Sequence, residues 1–170
     1  ANTTRIGFFS VLDNMGADIE WNNMRKEGGE WVGDVHIFSQ PLNGLHIMKD
    51  LIPTVIDEIP IIAVLATQAD SPTVIEGAAE LRVKESDRIK AICQNLQSMG
   101  AEIIEKQDGF IINPVTKLHH TNIETFGDHR IAMAFTIAGL LPSEKNTLDD
   151  ENCINISFPE FSDILSQICQ

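Results

Sequence analysis

Positive charge is scarce in this 170-residue chain: 12 Lys and Arg stand against 25 Asp and Glu, a formal net charge of −13. That balance argues against nucleic acid as a partner, because phosphate-backbone binding rests on a surplus of basic residues. It argues equally against anionic membrane surfaces. Cysteine is scarce as well. Cys93, Cys153 and Cys169 are odd in number, and no pair has metal-ligand spacing. Their apolar neighbours predict buried free thiols, which suit a reducing cytoplasm. No apolar run reaches the roughly 18 residues of a membrane span. The opening "ANTTRIGFFS" lacks a charged-then-apolar signal organisation and an initiator Met, so the chain reads as a piece of a longer one. No low-complexity segment or Pro/Gly/Ser linker divides it. The apolar fraction of 43% and charged fraction of 22% are those of a globular protein, long enough for one domain with a sizeable core.

What is present is an internal repeat. "NMGADIEW" at 14–21 is echoed by "SMGAEIIE" at 98–105. Each follows a segment of helical apolar spacing: Ile6, Phe9, Leu12 and Met15 in the first, and Ile89, Ile92, Cys93, Leu96 and Met99 in the second. Each helix stops at a glycine, Gly16 or Gly100. Strands then flank polar turns, "KEGGE" and "KQDG", as in hairpins. Strands are predicted at 17–22, 31–38, 73–76, 80–84, 101–105 and 109–113. A weaker echo links "IDEIPIIAVLATQA" at 56–69 to "GDHRIAMAFTIAGL" at 127–140. Both open on an acid and continue as helices apolar nearly all round, the mark of a buried helix. The reading is a mixed α/β domain over 1–170, with quasi-repeats near 1–80 and 81–160, buried helices inside and sheets outside.

The scarce basic residues are not spread evenly. Arg82, Lys84, Arg88 and Lys90 all lie in "LRVKESDRIKAI", residues 81–92. Leu81 to Lys84 alternate as a strand end would, and Ser86 reads as the N-cap of a helix beginning near Asp87. Arg88 then falls in the first turn, where a cation opposes the helix dipole unless an anion binds there. The alternative is a solvated helix start with a Glu85–Arg88 pair. In "TFGDHRIAMA", His129 and Arg130 precede a buried helix, so they must be paired, with Asp128 the obvious partner, or serve a ligand. Asp57 holds the equivalent place in the other repeat, as a helix cap or a site carboxylate. Together these turns offer Asp57, Glu85, Lys84, Arg88, Arg130 and His129, a set able to bind an anionic substrate and move protons. His119 and His120 read as exposed loop. His36 and His46 read as surface positions without metal-site partners.

"ELRVKESDRI" followed by "FGDHRIAMA" and preceded by "IDEIPI" resembles the 5-enolpyruvylshikimate-3-phosphate synthase family, its C-terminal part in particular. The opening "NTTRIGFFSVLDNMGADI" and the closing "SFPEF" are similar to it too, so the resemblance covers essentially the whole chain. It implies one of two similar globular domains, each built from three βαβαββ units with buried helices and outer sheets. It implies transfer of the enolpyruvyl group of phosphoenolpyruvate to the 5-hydroxyl of shikimate 3-phosphate, with release of phosphate. The route is addition and elimination, with no metal or organic cofactor, in cytoplasmic aromatic amino acid biosynthesis. By resemblance, Asp57 contacts the shikimate hydroxyls and accepts a proton, and Lys84 binds shikimate 3-phosphate. Glu85 is the acid/base at the enolpyruvyl methylene, with His129 beside it. Arg88 and Arg130 clamp phosphoenolpyruvate, whose carboxylate and phosphate suit planar guanidinium forks.

The family's N-terminal Lys-Ser-Arg motif, Gly-rich loop and Ser-Gln segment are absent from these residues. Ile156 stands where some members have Lys, and Glu80 where some have a substrate-contacting Asn. The resemblance therefore implies a domain that is inactive alone and completed by an N-terminal domain of the same protein. Two rivals remain. One is the UDP-N-acetylglucosamine enolpyruvyl transferase, disfavoured because none of the three cysteines has a basic neighbourhood. The other is a non-catalytic domain of the same fold.

Overall fold

A computed structural model describes residues 7–114 and 117–169. Ile6, the first residue of the predicted N-terminal stripe, lies outside them. Helix α1 (Gly7–Asn14) buries Val11 and Leu12 and ends at Gly16, whose φ of +87° lets Ala17 N–H reach the Leu12 carbonyl at 2.9 Å. An antiparallel ribbon follows, β1 (Asp18–Glu27) with β2 (Glu30–Phe38), bulged between Asn22 and Arg25. It runs further than predicted and is exposed on most of both faces. Phe9 of α1 meets Trp21 edge-on at 4.9 Å.

Strand β3 (His46–Ile47), helix α2 (Ile52–Val55), helix α3 (Ile59–Ala66) and strand β4 (Thr73–Ile75) come next. Residues 79–83 then form a 3₁₀ turn, Ala79–Val83, where a strand over 80–84 was expected. The alternation of a strand is not there. Leu81 is buried and Val83 exposed, while Arg82 turns sideways and donates to backbone carbonyls across the fold. No neighbouring strand supplies a ladder there among the described residues.

Helix α4 (Arg88–Ser98) has the predicted stripe, with Ile89, Ile92, Cys93, Leu96 and Met99 all buried. Its N-cap is Asp87, which accepts from Lys90 N–H at 3.0 Å, rather than the expected Ser86. Ser86 instead turns its hydroxyl to Asp128. After Gly100 (φ +89°) come strands β5 (Ile103–Lys106) and β6 (Gly109–Ile112), then β7 (Asn122–Ile123), helix α5 (His129–Ala138) and strand β8 (Thr147–Leu148). A second 3₁₀ turn, Asn152–Ile156, and helix α6 (Phe161–Ile168) close the described chain.

One sheet has the order β3-β4-β6-β5, with β3 parallel to β4 and the other pairs antiparallel. β7 and β8 form a short parallel pair. The apolar helix α3 packs on α5, and α4 packs on both, so three helices meet inside. The sheet covers α4 from outside with Ile103, Phe110 and Ile112. This places the N-termini of α3, α4 and α5 close together, as the ion pairs below show. Cys93 and Cys153 are buried free thiols, but Cys169 is exposed at the end of α6, where no further element covers it. Burial first and then the charge of Glu105 push the Cys93 thiol up to about 12, which leaves it inert at neutral pH. No described helix is long and apolar enough to cross a membrane.

Phe135 is fully buried among the three helices. Phe135→Ala should therefore cost about 3–5 kcal/mol, read as a lowered midpoint of urea unfolding.

Candidate active site

Three loops deliver the charged residues. The first, between α2 and α3, carries Asp57. It is not the helix cap that one reading expected: Glu58 occupies the cap position and no side-chain cap bond forms. Asp57 faces sideways, with Oδ1 at 3.3 Å from Arg88 Nη1 and Oδ2 at 3.2 Å from Arg130 Nη2. Arg130 Nη1 also donates to the Asp57 carbonyl.

The second loop runs from Val83 to Asp87. Glu85 Oε2 accepts from Arg88 Nη2 at 2.6 Å, the predicted i,i+3 pair. Lys84 pairs with Glu80 at 2.8 Å, so the exposed carboxylate four residues earlier holds the lysine. The third loop precedes α5. Asn95 is buried and grips Glu124 twice, accepting from its N–H and donating to its carbonyl. Asp149 accepts from Thr125 N–H at 2.9 Å. Phe126 and Gly127 then both take positive φ, +56° and +67°. Glycine does so freely and phenylalanine does not, so this turn holds local strain beside the charged cluster. The double reversal aims Asp128 inward, where it caps α5 by accepting from Arg130 N–H at 2.9 Å.

Asp128 is the residue whose role the sequence least revealed. Its side chain is 0% exposed and sits on Arg88, itself 1% exposed, with Oδ2 2.7 Å from Arg88 Nε and 3.0 Å from Ser86 Oγ. The anion that a first-turn Arg88 requires is thus supplied by the chain itself. Burial alone would lift the Asp128 carboxyl. The hydrogen bonds and charge of Arg88 outweigh it, with help from Arg130 N–H and Ser86, and hold it below the usual carboxylate range. Burial likewise disfavours the Arg88 cation, and the bonds from Asp128 and the charges of Glu85 and Asp57 overcome that and raise its pKa.

The structure brings Asp57, Glu85, Arg88, Asp128 and Arg130 into one network. His129 is the first residue of α5, partly buried, and makes no hydrogen bond to Glu85. Solvent reaches Glu85, 53% exposed, and in part Asp57, 24% exposed, whereas Asp128 is sealed. Beside Asp57 and Arg130 a cleft between α3 and α5 has apolar walls of Pro60, Ile61, Met133 and Phe158. Ile156 stands exposed on the 3₁₀ turn before Phe158. The described residues contain no group of three or more His, Cys, Asp or Glu placed to hold a metal ion. Most of the expected local excess of positive charge is not free, although Lys90 is exposed on α4. Arg82, Lys84, Arg88 and Arg130 are each paired with a carboxylate of this chain.

Inner helices carrying a charged cluster at their N-termini, with sheets outside, define the α/β fold of the enolpyruvyl transferases. EPSP synthase from Acinetobacter baumannii superposes with a TM-score of 0.91 at 40% identity, over 98% of this chain and 39% of that one. The enolpyruvyl transferase NikO from Streptomyces tendae shares the fold, with a TM-score of 0.72 at 18% identity over 96% of this chain and 35% of that one. The family model for EPSP synthase (3-phosphoshikimate 1-carboxyvinyltransferase) matches residues 1–165. The 3-phosphoshikimate 1-carboxyvinyltransferases of Thermodesulfovibrio yellowstonii and Sulfurihydrogenibium sp. are 49% and 46% identical to it, each over 98% of this chain. The chain belongs to the EPSP synthase family. It spans 39% of the length of these relatives.

Three outcomes follow from the buried pair. Arg88→Ala strands Asp128 and should cost about 3–5 kcal/mol, measured by urea unfolding at pH 7. Arg88→Met with Asp128→Leu together should recover most of that loss. The Asp128 pKa is lowered on folding, so its contribution is complete above the unfolded-state value near 3.8 and fades as pH falls below it. Asp128→Asn should therefore remove part of the acid-side slope of stability below about pH 4, seen in unfolding midpoints between pH 5 and pH 2.5.

Proposed function

We propose that the whole protein transfers the enolpyruvyl group of phosphoenolpyruvate to the 5-hydroxyl of shikimate 3-phosphate and releases phosphate, and that this chain supplies one wall of the site. The observation that carries the reading is a convergence. Asp57, Glu85, Arg88 and Arg130 come from three separate loop–helix junctions and meet in one ion network, in a chain of the EPSP synthase family.

The roles follow from exposure and reach. Asp57 and Glu85 are the accessible carboxylates on two sides of Arg88, which allows one to accept a proton while the other delivers one. Asp57 takes the proton of the 5-hydroxyl. Glu85 protonates the methylene carbon during addition and takes a proton back during elimination. His129 closes on Glu85 when substrate is bound and tunes it. Arg130, partly exposed and held by Asp57, turns its guanidinium to phosphoenolpyruvate. Arg88 reaches the same anion by exchanging its bonds to Asp57 and Glu85, while Asp128 keeps its hold from below. Lys84 leaves the exposed Glu80 for the shikimate phosphate.

In this chain those cations are already matched by carboxylates, so two anionic substrates need further positive charge. The rest of the protein supplies it from a facing N-terminal domain. The chain's own partners are then small molecules and that domain, with no nucleic acid, membrane, metal or organic cofactor, and the setting is cytoplasmic. The apolar cleft beside Asp57 lies on the wall that faces the second domain.

Phosphate release from the two substrates by the full-length protein tests the reading, and its absence would sink it. The 170-residue chain alone should release none, and measurable turnover by it would overturn the half-site assignment. In the full-length protein, Glu85→Gln should lower kcat about 10²- to 10⁴-fold with the thermal transition little changed, because Glu85 is half-exposed.

A further inference from the structure

Arg82 belongs to the charged stretch of residues 81–92, yet none of the proposed roles uses it. Its side chain is about three-quarters buried and points away from the Asp57–Arg88–Arg130 cluster. Nε donates to the Gln107 carbonyl at 2.7 Å. Nη1 donates to both oxygens of Asp87, at 3.1 and 2.9 Å. Nη2 donates to Glu105 Oε1 at 2.9 Å and to the Lys106 carbonyl at 2.5 Å. An arginine has five N–H donors in a fixed plane, and here all three of its nitrogens are engaged. Such a group is turned to its own chain rather than to a substrate, and it is far more tightly held than a solvated surface charge.

Its acceptors are informative. Glu105 and Lys106 end β5 and Gln107 opens the turn to β6, in a hairpin anchored by the buried Ile103, Phe110 and Ile112. Asp87 is the N-cap of α4. The Arg82–Asp87 pair thus closes the loop 82–87 at its base and bolts it to the rigid hairpin and to the helix start. Lys84 and Glu85 stand on the part of the loop between those two ends. Arg88, the next residue, is fixed from the other side by Asp128. One face of the loop is held by Arg82 and the other by Asp128.

We infer that Arg82 is a positioning residue for the proposed reaction: paired with Asp87 and clamped to the β5–β6 turn, it sets where Lys84 and Glu85 stand. This rests on the enolpyruvyl-transfer reading for its kinetic consequence, and on geometry alone for the loop. A lysine keeps the charge but cannot satisfy acceptors spread around a planar fork, so it is not a conservative replacement here. Asn at 87 keeps the helix cap and loses the charge of the pair.

Full-length protein carrying Arg82→Lys, Arg82→Gln, Asp87→Asn, or Arg82→Gln with Asp87→Asn tests the inference. The expected result is a fall in kcat of about 10- to 100-fold, with Arg82→Lys milder than Arg82→Gln and the double variant no worse than Arg82→Gln. A destabilised control, Ile112→Val in the core of β6, should keep kcat at a comparable loss of thermal stability. Amide hydrogen exchange gives a second readout that needs no substrate. Residues 83–87 should exchange faster in the Arg82 variants, while the central amides of α4 should not. Wild-type kcat in Arg82→Gln, a kcat loss equal to that of the Ile112→Val control, or unchanged exchange at 83–87 would each overturn the positioning role. If the wild-type protein turns over neither substrate, the proposed function falls on that result. The exchange measurement then decides the loop claim by itself.

Discussion

One buried ion pair sets the terms for the rest of this domain. The N-termini of α3, α4 and α5 meet through Arg88, and each helix brings the positive end of its dipole. A buried guanidinium at that junction would be untenable alone. Asp128, wholly buried, sits directly against it, and Asp57 and Glu85 complete its shell. Desolvation is the largest opposing effect on both Arg88 and Asp128, and in both the pairing overcomes it. The pair is therefore a constraint more than a source of stability: neither partner can be removed singly, and the three helices must stay in register to keep it.

That constraint divides the carboxylates by what they can do. Asp128 is sealed and serves geometry. Asp57 and Glu85 hold the same arginine from positions that solvent reaches, so their bonds can be exchanged for bonds to a ligand. The loops that carry them are fixed by different means. The loop before α5 is pinned by Asn95 and Asp149 and reversed by two left-handed residues. The loop before α4 is tied by Arg82 to the β5–β6 turn. Rigid elements behind solvent-reachable charge pairs are what a site needs if its groups are to be placed before substrate arrives.

Much of the fold was legible in the residues. The stripe Ile89, Ile92, Cys93, Leu96, Met99 is buried as its spacing required, and Gly16 and Gly100 take the left-handed conformation that ends their helices. The near-uniform apolar character of α3 and α5 marked them as interior. The stretch 80–84 misled: a strand would set Leu81 and Val83 on one face, whereas the 3₁₀ turn buries the first and exposes the second. Ser86 and Asp87 are both good caps, and which one caps α4 depended on Asp128 lying across from Ser86. Cys169 has apolar neighbours in sequence but none that cover it in space.

The site divides in the same way. The sequence by itself determined which residue types stand at the starts of the inner helices, because local spacing and turn chemistry are written residue by residue. Through motif order it also determined the family. Only the tertiary structure decided how the charges pair: that Arg88 takes its anion from Asp128, 40 residues away; that Asp57 caps nothing and bridges two arginines; and that Arg82 is a staple rather than a surface charge. Pairing is a matter of distance between segments remote in the chain, and a charge in a sequence has no partner until packing brings one within about 3 Å.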